Sequence, residues 1–155
     1  MFLISVLALT TTLQLDAHTQ IQIQADQAQQ HLDSRTSTWQ KNVIATQGPY
    51  TLHAHTLTLS YNADNKPCVL KAVGTPVHAY GPINAQHTQI RGEVIVYDCN
   101  QQKAKVMGMA NIDSHHNSLS ADNIIYNLIN RQLTANSSSP NRTSMTLTPN
   151  TAPQN

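Results

Sequence analysis

The sequence predicts an all-β fold, a stack of antiparallel strands around a narrow apolar interior. Apolar and polar residues alternate with period two along most of the chain, as in half-buried strands, and helical periodicity is almost absent. A strand-turn-strand unit also recurs, and such units need neighbours to bury their apolar faces. The 155 residues suffice for one folded domain with its own core.

The first strand begins near Ile21, where apolar residues alternate with glutamines and Ile23 shares the face of Ile21. In residues 50–61 the apolar positions change parity near His55 and Thr56. A strand can change the face it buries only at a β-bulge or a bend. We therefore expect a corner at this point of the sheet.

Later segments follow the same pattern. Residues 90–97 and 124–129 are rich in β-branched and aromatic residues and are bounded by Asn, Asp and Gly, which mark turns. After Asn136 the composition shifts to Ser, Pro, Asn and Thr, and only Met145 and Leu147 support a further strand. Residues 150–155 have nothing to bury, so we expect a flexible tail.

The repeated unit is recognised by its ending. Each copy has an apolar alternating strand, a polar turn and a returning strand with small residues. In three copies the first of these strands ends in a tyrosine followed by Asn or Asp, at Tyr61-Asn62, Tyr97-Asp98 and Tyr126-Asn127. A fourth, degenerate copy opens at Ala25-Asp26 and returns through Lys41. The repeat predicts successive hairpins stacked side by side.

Composition limits the partners. The 9 Lys+Arg against 8 Asp+Glu give a net charge of +1, and no run of basic residues provides a surface for nucleic acid or an anionic membrane. Charged residues make up only 11% of the chain, so the predicted surface is polar but uncharged. We expect no nucleic-acid partner.

The N-terminal segment is typical of an export signal. Residues 1–15 contain an apolar run that is too short to span a bilayer, which takes about 20 apolar residues. We expect residues 1–17 to be a signal peptide with an uncertain cleavage site, although a buried N-terminal strand fits the same residues. No later segment approaches membrane-spanning length, so we expect an exported, soluble mature chain.

The only two cysteines, Cys68 and Cys99, lie far apart in the chain and outside any CxxC spacing. An oxidising compartment would allow a disulfide between them. Two small buried apolar side chains fit the sequence equally well. The sequence alone leaves both alternatives open.

No motif indicates catalysis. The carboxylates mostly stand beside turns, and no GxSxG, P-loop or HExxH stretch is present. Among the eight histidines, His53 and His55 share one strand face, but no third metal ligand stands at a recognisable spacing. We expect no enzyme, no metal and no cofactor, with a His-based metal-binding module as the less favoured alternative.

The predicted interior is aliphatic. One face of the strands presents a set of apolar side chains, which are Ile21, Ile23, Leu52, Leu57, Leu59, Val77, Ile95, Tyr97, Val106, Ile124, Tyr126 and Leu128. The simplest interpretation is a packed core. An interior that stayed partly open would instead hold acyl chains, as the mouths of other β-barrels hold apolar ligands.

The order of several short segments resembles the LptA family of periplasmic lipopolysaccharide transport proteins, also called the OstA-like N-terminal family. The segments are Ile21-Gln-Ile-Gln-Ala-Asp-Gln, Lys41-Asn-Val-Ile-Ala-Thr-Gln-Gly48, Gly74-Thr-Pro-Val77, Leu119-Ser-Ala-Asp122 with Ile125-Tyr126, and Arg142-Thr-Ser-Met-Thr-Leu-Thr-Pro149. Each is short, but their order and spacing together are specific. The resemblance implies that residues 18–149 form an antiparallel β-jellyroll, open along one seam.

The family also implies a role in the periplasm, as the bridge between the inner-membrane complex of LptB, LptF, LptG and LptC and the outer-membrane translocon LptD/LptE. Lipopolysaccharide is the implied ligand, with the acyl chains of lipid A in the apolar interior and the sugars in water. Strand addition at the edges would join LptC at one end and LptD at the other, and copies would join head to tail. An LptC-like protein or another OstA-domain component of outer-membrane biogenesis is the alternative.

Carried over position by position, the lipid-contacting sites of the family fall on Ile21, Ile23, Ala79, Tyr97 and Cys99. Ala79 and Cys99 are smaller than the apolar residues that the family prefers there. Gly92 stands closer to Tyr97 than the family pattern has it, and Lys41 replaces a glycine. Together with the interior positions Leu52, Leu57, Leu59, Val77, Ile95 and Tyr126, these five are the predicted lipid-binding residues.

Overall fold

In a computed structural model, which describes residues 21–83 and 86–148, the chain consists of strands joined by turns. The ten strands of these residues are β1 (Gln22–Gln24), β2 (Gln27–His31), β3 (Thr36–Gln47), β4 (Tyr50–Tyr61), β5 (Pro67–Ile83), β6 (Gln86–Asp98), β7 (Lys103–Ser114), β8 (Asn117–Asn127), β9 (Gln132–Asn136) and β10 (Ser144–Leu147). Within these residues no helix is long and apolar enough to cross a bilayer. The predicted signal peptide and tail lie outside the described residues.

The strands form one antiparallel sheet in the order β1-β3-β4-β5-β6-β7-β8-β10. At one end β3 pairs with two short strands, so that Ile23 of β1 lies opposite Ala45 and Ala28 of β2 lies opposite Trp39. At the other end β8 pairs with both β9 and β10. Within the described residues the end strands do not pair with each other. This confirms the predicted all-β fold and its open sheet.

A line of bulges crosses the sheet near the middle of the strands. The pairing register shifts between Gln40 and Val43, His53 and Thr56, Val73 and Val77, Arg91 and Val94, and Met107 and Ala110. We call this line the crease. The second shift confirms the corner predicted near His55 and Thr56, because a bulge bends its strand and changes the face that is buried.

The first bulge has an unusual backbone. Lys41 and Asn42 both have positive φ, 66° and 52°, in the left-handed region that favours glycine. Lys41 stands where the family pattern places a glycine. The side chain of Asn42 fastens this bulge to the N-terminal edge, since its Nδ2 donates a hydrogen bond of 2.9 Å to Asp26.

The inner faces on the two sides of the crease form one core. The core cluster joins Val43 and Leu52 from one side with Leu57 and Leu70 from the other. A single sheet folded in this way provides both layers that a domain core requires. Among the described residues the buried polar side chains are uncharged, namely Ser37, Gln47 and Thr88.

The repeated Tyr-Asn or Tyr-Asp pairs stand at the ends of β4, β6 and β8, as the sequence predicts. The second residue of each pair closes the following turn with its side-chain oxygen. Asn62 accepts hydrogen bonds from the backbone of Asp64 and Lys66, both at 3.0 Å. Asp98 and Asn127 accept equivalent bonds from the backbone two and three residues further on. The repeat therefore encodes Asx turns.

Cys68 and Cys99 form a disulfide, which decides between the two alternatives that the sequence left open. Cys68 lies in β5 and Cys99 directly follows β6, and the Cys99 N–H donates a 2.9 Å hydrogen bond to the Cys68 carbonyl. The disulfide thus joins the two long central strands, β5 and β6, at the strand ends that carry the Tyr-Asx turns.

Candidate functional site

The inner face of the sheet is organised in rows that run across the strands. The first row crosses from β1 to β10 through directly paired residues, which are Ile23, Ala45, Leu52, Ala79, Ile90, Ile112, Leu119 and Met145. Cross-strand neighbours of this kind contact each other on one face of a sheet. Every residue of this row is apolar, so the row is unbroken from edge to edge.

Two further rows lie on the other side of the crease. The second row runs from β2 to β9 and consists of Ala28, Trp39, Leu57, Ala72, Ile95, Val106, Ile124 and Ala135. The third row consists of Gln30, Ser37, Leu59, Leu70, Tyr97, Ala104, Tyr126 and Leu133. The second row is apolar throughout, and the third is apolar from β4 onwards.

Eight of the predicted lipid-binding residues belong to these rows. Ile23, Leu52 and Ala79 stand in the first row. The second row holds Leu57 and Ile95, and the third holds Leu59, Tyr97 and Tyr126.

The three others lie beside the rows. Val77 stands at the crease opposite Gly92, and Ile21 directly precedes β1. Cys99 packs against the core while its sulfur is bonded to Cys68. The structure thus brings the predicted set to one face of one sheet.

The centre of the interior is closed. Leu52, Leu57, Val77 and Ala79 are all 0% exposed, so the two sides of the crease are in contact there. Instead of the partly open interior that we considered from sequence, the structure has a packed core at its centre. An acyl chain can occupy this region only if it replaces core contacts.

The interior is uncovered at the two edges of the sheet. Ile21 and Ile23 are half-buried at the N-terminal edge. At the C-terminal edge Leu133, Met145 and Leu147 are 43%, 58% and 65% exposed. Met145 and Leu147 were recognised in the sequence only as strand residues. Their alternation was the signal that they continue an apolar face.

The outer face of the sheet carries histidine and tyrosine rings and charged side chains, whereas the inner face is largely apolar. His53 of β4 stacks on Tyr80 of β5 with 5.9 Å between ring centroids, and His78 and His87 lie at 5.2 and 6.3 Å from the same ring. Burial lowers the pKa of His78, and the nearby charges of Arg91 and His53 add to this, while a hydrogen bond with Gln89 opposes it. The described residues contain no group of three or more His, Cys, Asp or Glu arranged to hold a metal ion.

Comparison with known proteins gives a family match and matches to solved structures. The family model described as "LptA/(LptD N-terminal domain) LPS transport protein" matches residues 22–132. Among solved structures, LptH of Pseudomonas aeruginosa, described as the LptA-homologous periplasmic component of the conserved lipopolysaccharide transport device, superposes with a TM-score of 0.73. It is 24% identical and the match covers 86% of this chain and 99% of LptH. No curated protein sequence matches the chain.

Proposed function

Because this chain belongs to the LptA/(LptD N-terminal domain) family of lipopolysaccharide transport proteins, we propose that it carries lipopolysaccharide across the periplasm as a bridge between the inner-membrane export complex and the outer-membrane translocon. The acyl chains of lipid A lie against the inner face of the sheet, and the sugars remain in water. No step of this role requires catalysis.

One observation carries the proposal: the first and second rows are apolar from one unpaired edge of the sheet to the other. A packed core needs apolar residues only at its centre. Here they continue to the edges, where Ile23 and Met145 are accessible to solvent. A path for acyl chains along the stack of strands needs this continuity.

The free energy gained by burying acyl chains is large enough to compete with the contacts of the closed core. Burial of one CH2 group is worth about 0.8 kcal/mol, so ten methylenes contribute about 8 kcal/mol. The whole stability of a domain is of the order of 5–15 kcal/mol. We propose that lipid enters at an uncovered edge and then separates the two sides of the crease progressively. Ile21, Ile23, Met145 and Leu147 are the first contacts on this path.

The two edges are the proposed attachment sites for neighbours. β1 and β10 each leave one row of backbone N–H and C=O groups unpaired among the described residues, and such rows are templates for strand addition. We propose that LptC pairs at one edge and LptD at the other, and that copies of this chain join head to tail. This contact does not close on itself, so it would form an open filament with continuous rows.

Site-specific photo-crosslinking tests the proposal. A photo-reactive residue at position 23, on the inner face of β1, is expected to label lipopolysaccharide in the periplasm. The adjacent position 24 is exposed on the outer face and serves as the matched control, which is expected to remain unlabelled. Positions 145 and 146 form the corresponding pair at the other edge, because Met145 lies opposite the inner residue Leu119.

Labelling restricted to 23 and 145 supports a path along the inner face. A folded protein in which neither inner position labels lipopolysaccharide, or in which 24 and 146 label as strongly, would contradict the proposed path.

A further inference from the structure

Three neighbouring strands bulge together at the crease and leave a cavity on the outer face. The residues at these bulges include Gly74 to Pro76 in β5, Gly92 and Glu93 in β6, and Gly108 and Met109 in β7. The cavity has a volume of about 730 Å³ and is lined by Thr75, Pro76, Arg91, Glu93, Gly108, Met109, Asn111, Asp113 and Ser118. It is separate from the rows, since Arg91, Asn111 and Asp113 point away from the core.

The cavity carries one negative charge without a partner. Arg91 and Asp113 neutralise each other in an ion pair with 3.0 Å between Nη2 and Oδ2. Glu93 has neither an ion pair nor a hydrogen bond within the described part of the chain. An anionic ligand is therefore disfavoured at this place, and a cationic one is favoured.

Glycine at position 108 lets the Glu93 side chain lie against the cavity wall. A Cβ at Gly108 would stand 2.8 Å from both Cβ and Cδ of Glu93, so any larger residue would displace this side chain. Gly108 has a φ of +78°, and Met109, at +46°, is also in the left-handed region although it is not a glycine. This backbone is free of steric cost for glycine but costly for Met109, and costly backbone tends to occur at functional sites.

The remaining lining combines polar and apolar side chains. Asn111 uses its Nδ2 to donate a 2.9 Å bond to Ser120. Ser118 adds a hydroxyl. Met109, 79% exposed, and Pro76 provide apolar walls suited to methylene groups.

We propose that this cavity binds a small aliphatic primary ammonium, with the ammonium at Glu93 and the aliphatic chain between Pro76 and Met109. A primary ammonium brings three donors and a positive charge to a lining that holds one unpaired carboxylate and the Ser118 hydroxyl. A divalent metal ion would require more oxygen ligands than one free carboxylate supplies. The inference does not depend on lipopolysaccharide transport, because it concerns the opposite face of the sheet.

Three ligands of equal length that differ only in one terminal group test the inference. They are 5-aminopentan-1-ol, pentane-1,5-diol and 5-hydroxypentanoate, titrated into the full chain while backbone amide signals are followed by NMR. We expect the amine to shift the signals of Gly108, Met109 and Asn111, and we expect the diol and the carboxylate to bind at least ten-fold more weakly.

The variant Glu93→Gln removes the unpaired charge and keeps the shape of the side chain, so the affinity for the amine is expected to fall at least ten-fold. Asp64→Asn is the matched control, since it removes one carboxylate in the distant β4–β5 turn and is expected to change nothing. The inference is overturned if the diol binds as well as the amine, if Glu93→Gln binds the amine unchanged, or if Asp64→Asn weakens binding equally.

Discussion

Ile23 is the residue at which the first row meets the N-terminal edge. It lies opposite Ala45 and is half-buried between the exposed residues Gln22 and Gln24. A carboxylate at this position would have to lose water whenever an acyl chain covers it, at a cost of several kcal/mol. We therefore predict that Ile23→Asp lowers lipid capture at least ten-fold.

The control for this prediction is Gln24→Asp, which places the same charge one residue away on the outer face. Both variants are expected to keep the thermal midpoint within a few degrees, because Ile23 lies in a short strand at the edge. Equal lipid capture by the two variants would contradict the prediction, because the inner and outer faces of β1 would then contribute alike.

His78 makes stability depend on pH. Its pKa is lowered by burial, with the charges of Arg91 and His53 acting in the same direction. The unfolded chain then binds a proton more readily, so stability falls as pH decreases from about 6.5, the ordinary histidine pKa, towards the lower pKa of the folded state. Above about 6.5 both states are neutral at this residue and the effect vanishes.

The prediction is that wild-type protein loses more stability than His78→Gln between pH 7.5 and pH 5. Urea unfolding at the two pH values measures the difference. If the two proteins lose the same amount, another group must be responsible for the pH dependence.

At the scale of elements, β10 pairs with the first half of β8 and with no other strand among the described residues. Deletion of residues 141–155 removes β10, including the edge that we propose for head-to-tail contact. We predict a folded protein that still accepts lipid but associates more weakly with itself. Deletion of residues 149–155 keeps β10 and is the matched control.

Sedimentation velocity at high protein concentration distinguishes these forms. Equal association states for the full-length chain and both truncated chains, together with equal binding to the LptC and LptD jellyrolls, would remove the support for edge pairing.

The disulfide acts on two elements together, since it joins the start of β5 to the end of β6. A sequence separation of 31 residues corresponds to about 3–4 kcal/mol of stabilisation in the chain-entropy model. Replacement of both cysteines by serine is therefore predicted to lower the free energy of unfolding by about this amount. Reduction of the wild-type protein is expected to have a similar effect, and a loss below about 1 kcal/mol in both experiments would contradict the prediction.

At the scale of the whole molecule, local patterns in the sequence predicted most of the strands and the residues of the inner face. Period-two alternation fixes which side chains share a face, and the Tyr-Asx pairs fix the turns, because both depend on neighbouring residues. The pairing of β10 with β8 was not predicted, since long-range partners leave no local pattern.

The missed features have a common cause. Apart from the corner near His55 and Thr56, the crease depends on bulges that lie side by side in space but far apart in sequence. Lys41 and Asn42 adopt a backbone that usually indicates glycine. The cavity at Glu93 and Gly108 exists only because three such bulges coincide. The Cys68–Cys99 bond likewise required the register of β5 and β6.

The proposed function depends on the binding of lipopolysaccharide to the inner face of this sheet. Native mass spectrometry of the protein purified from the periplasm without denaturant tests it most directly. We expect a bound species with the mass of lipopolysaccharide, present in wild-type protein and depleted in Ile23→Asp. A folded wild-type protein that carries no lipopolysaccharide, and that acquires none when it is incubated with an excess of it, would contradict the claim.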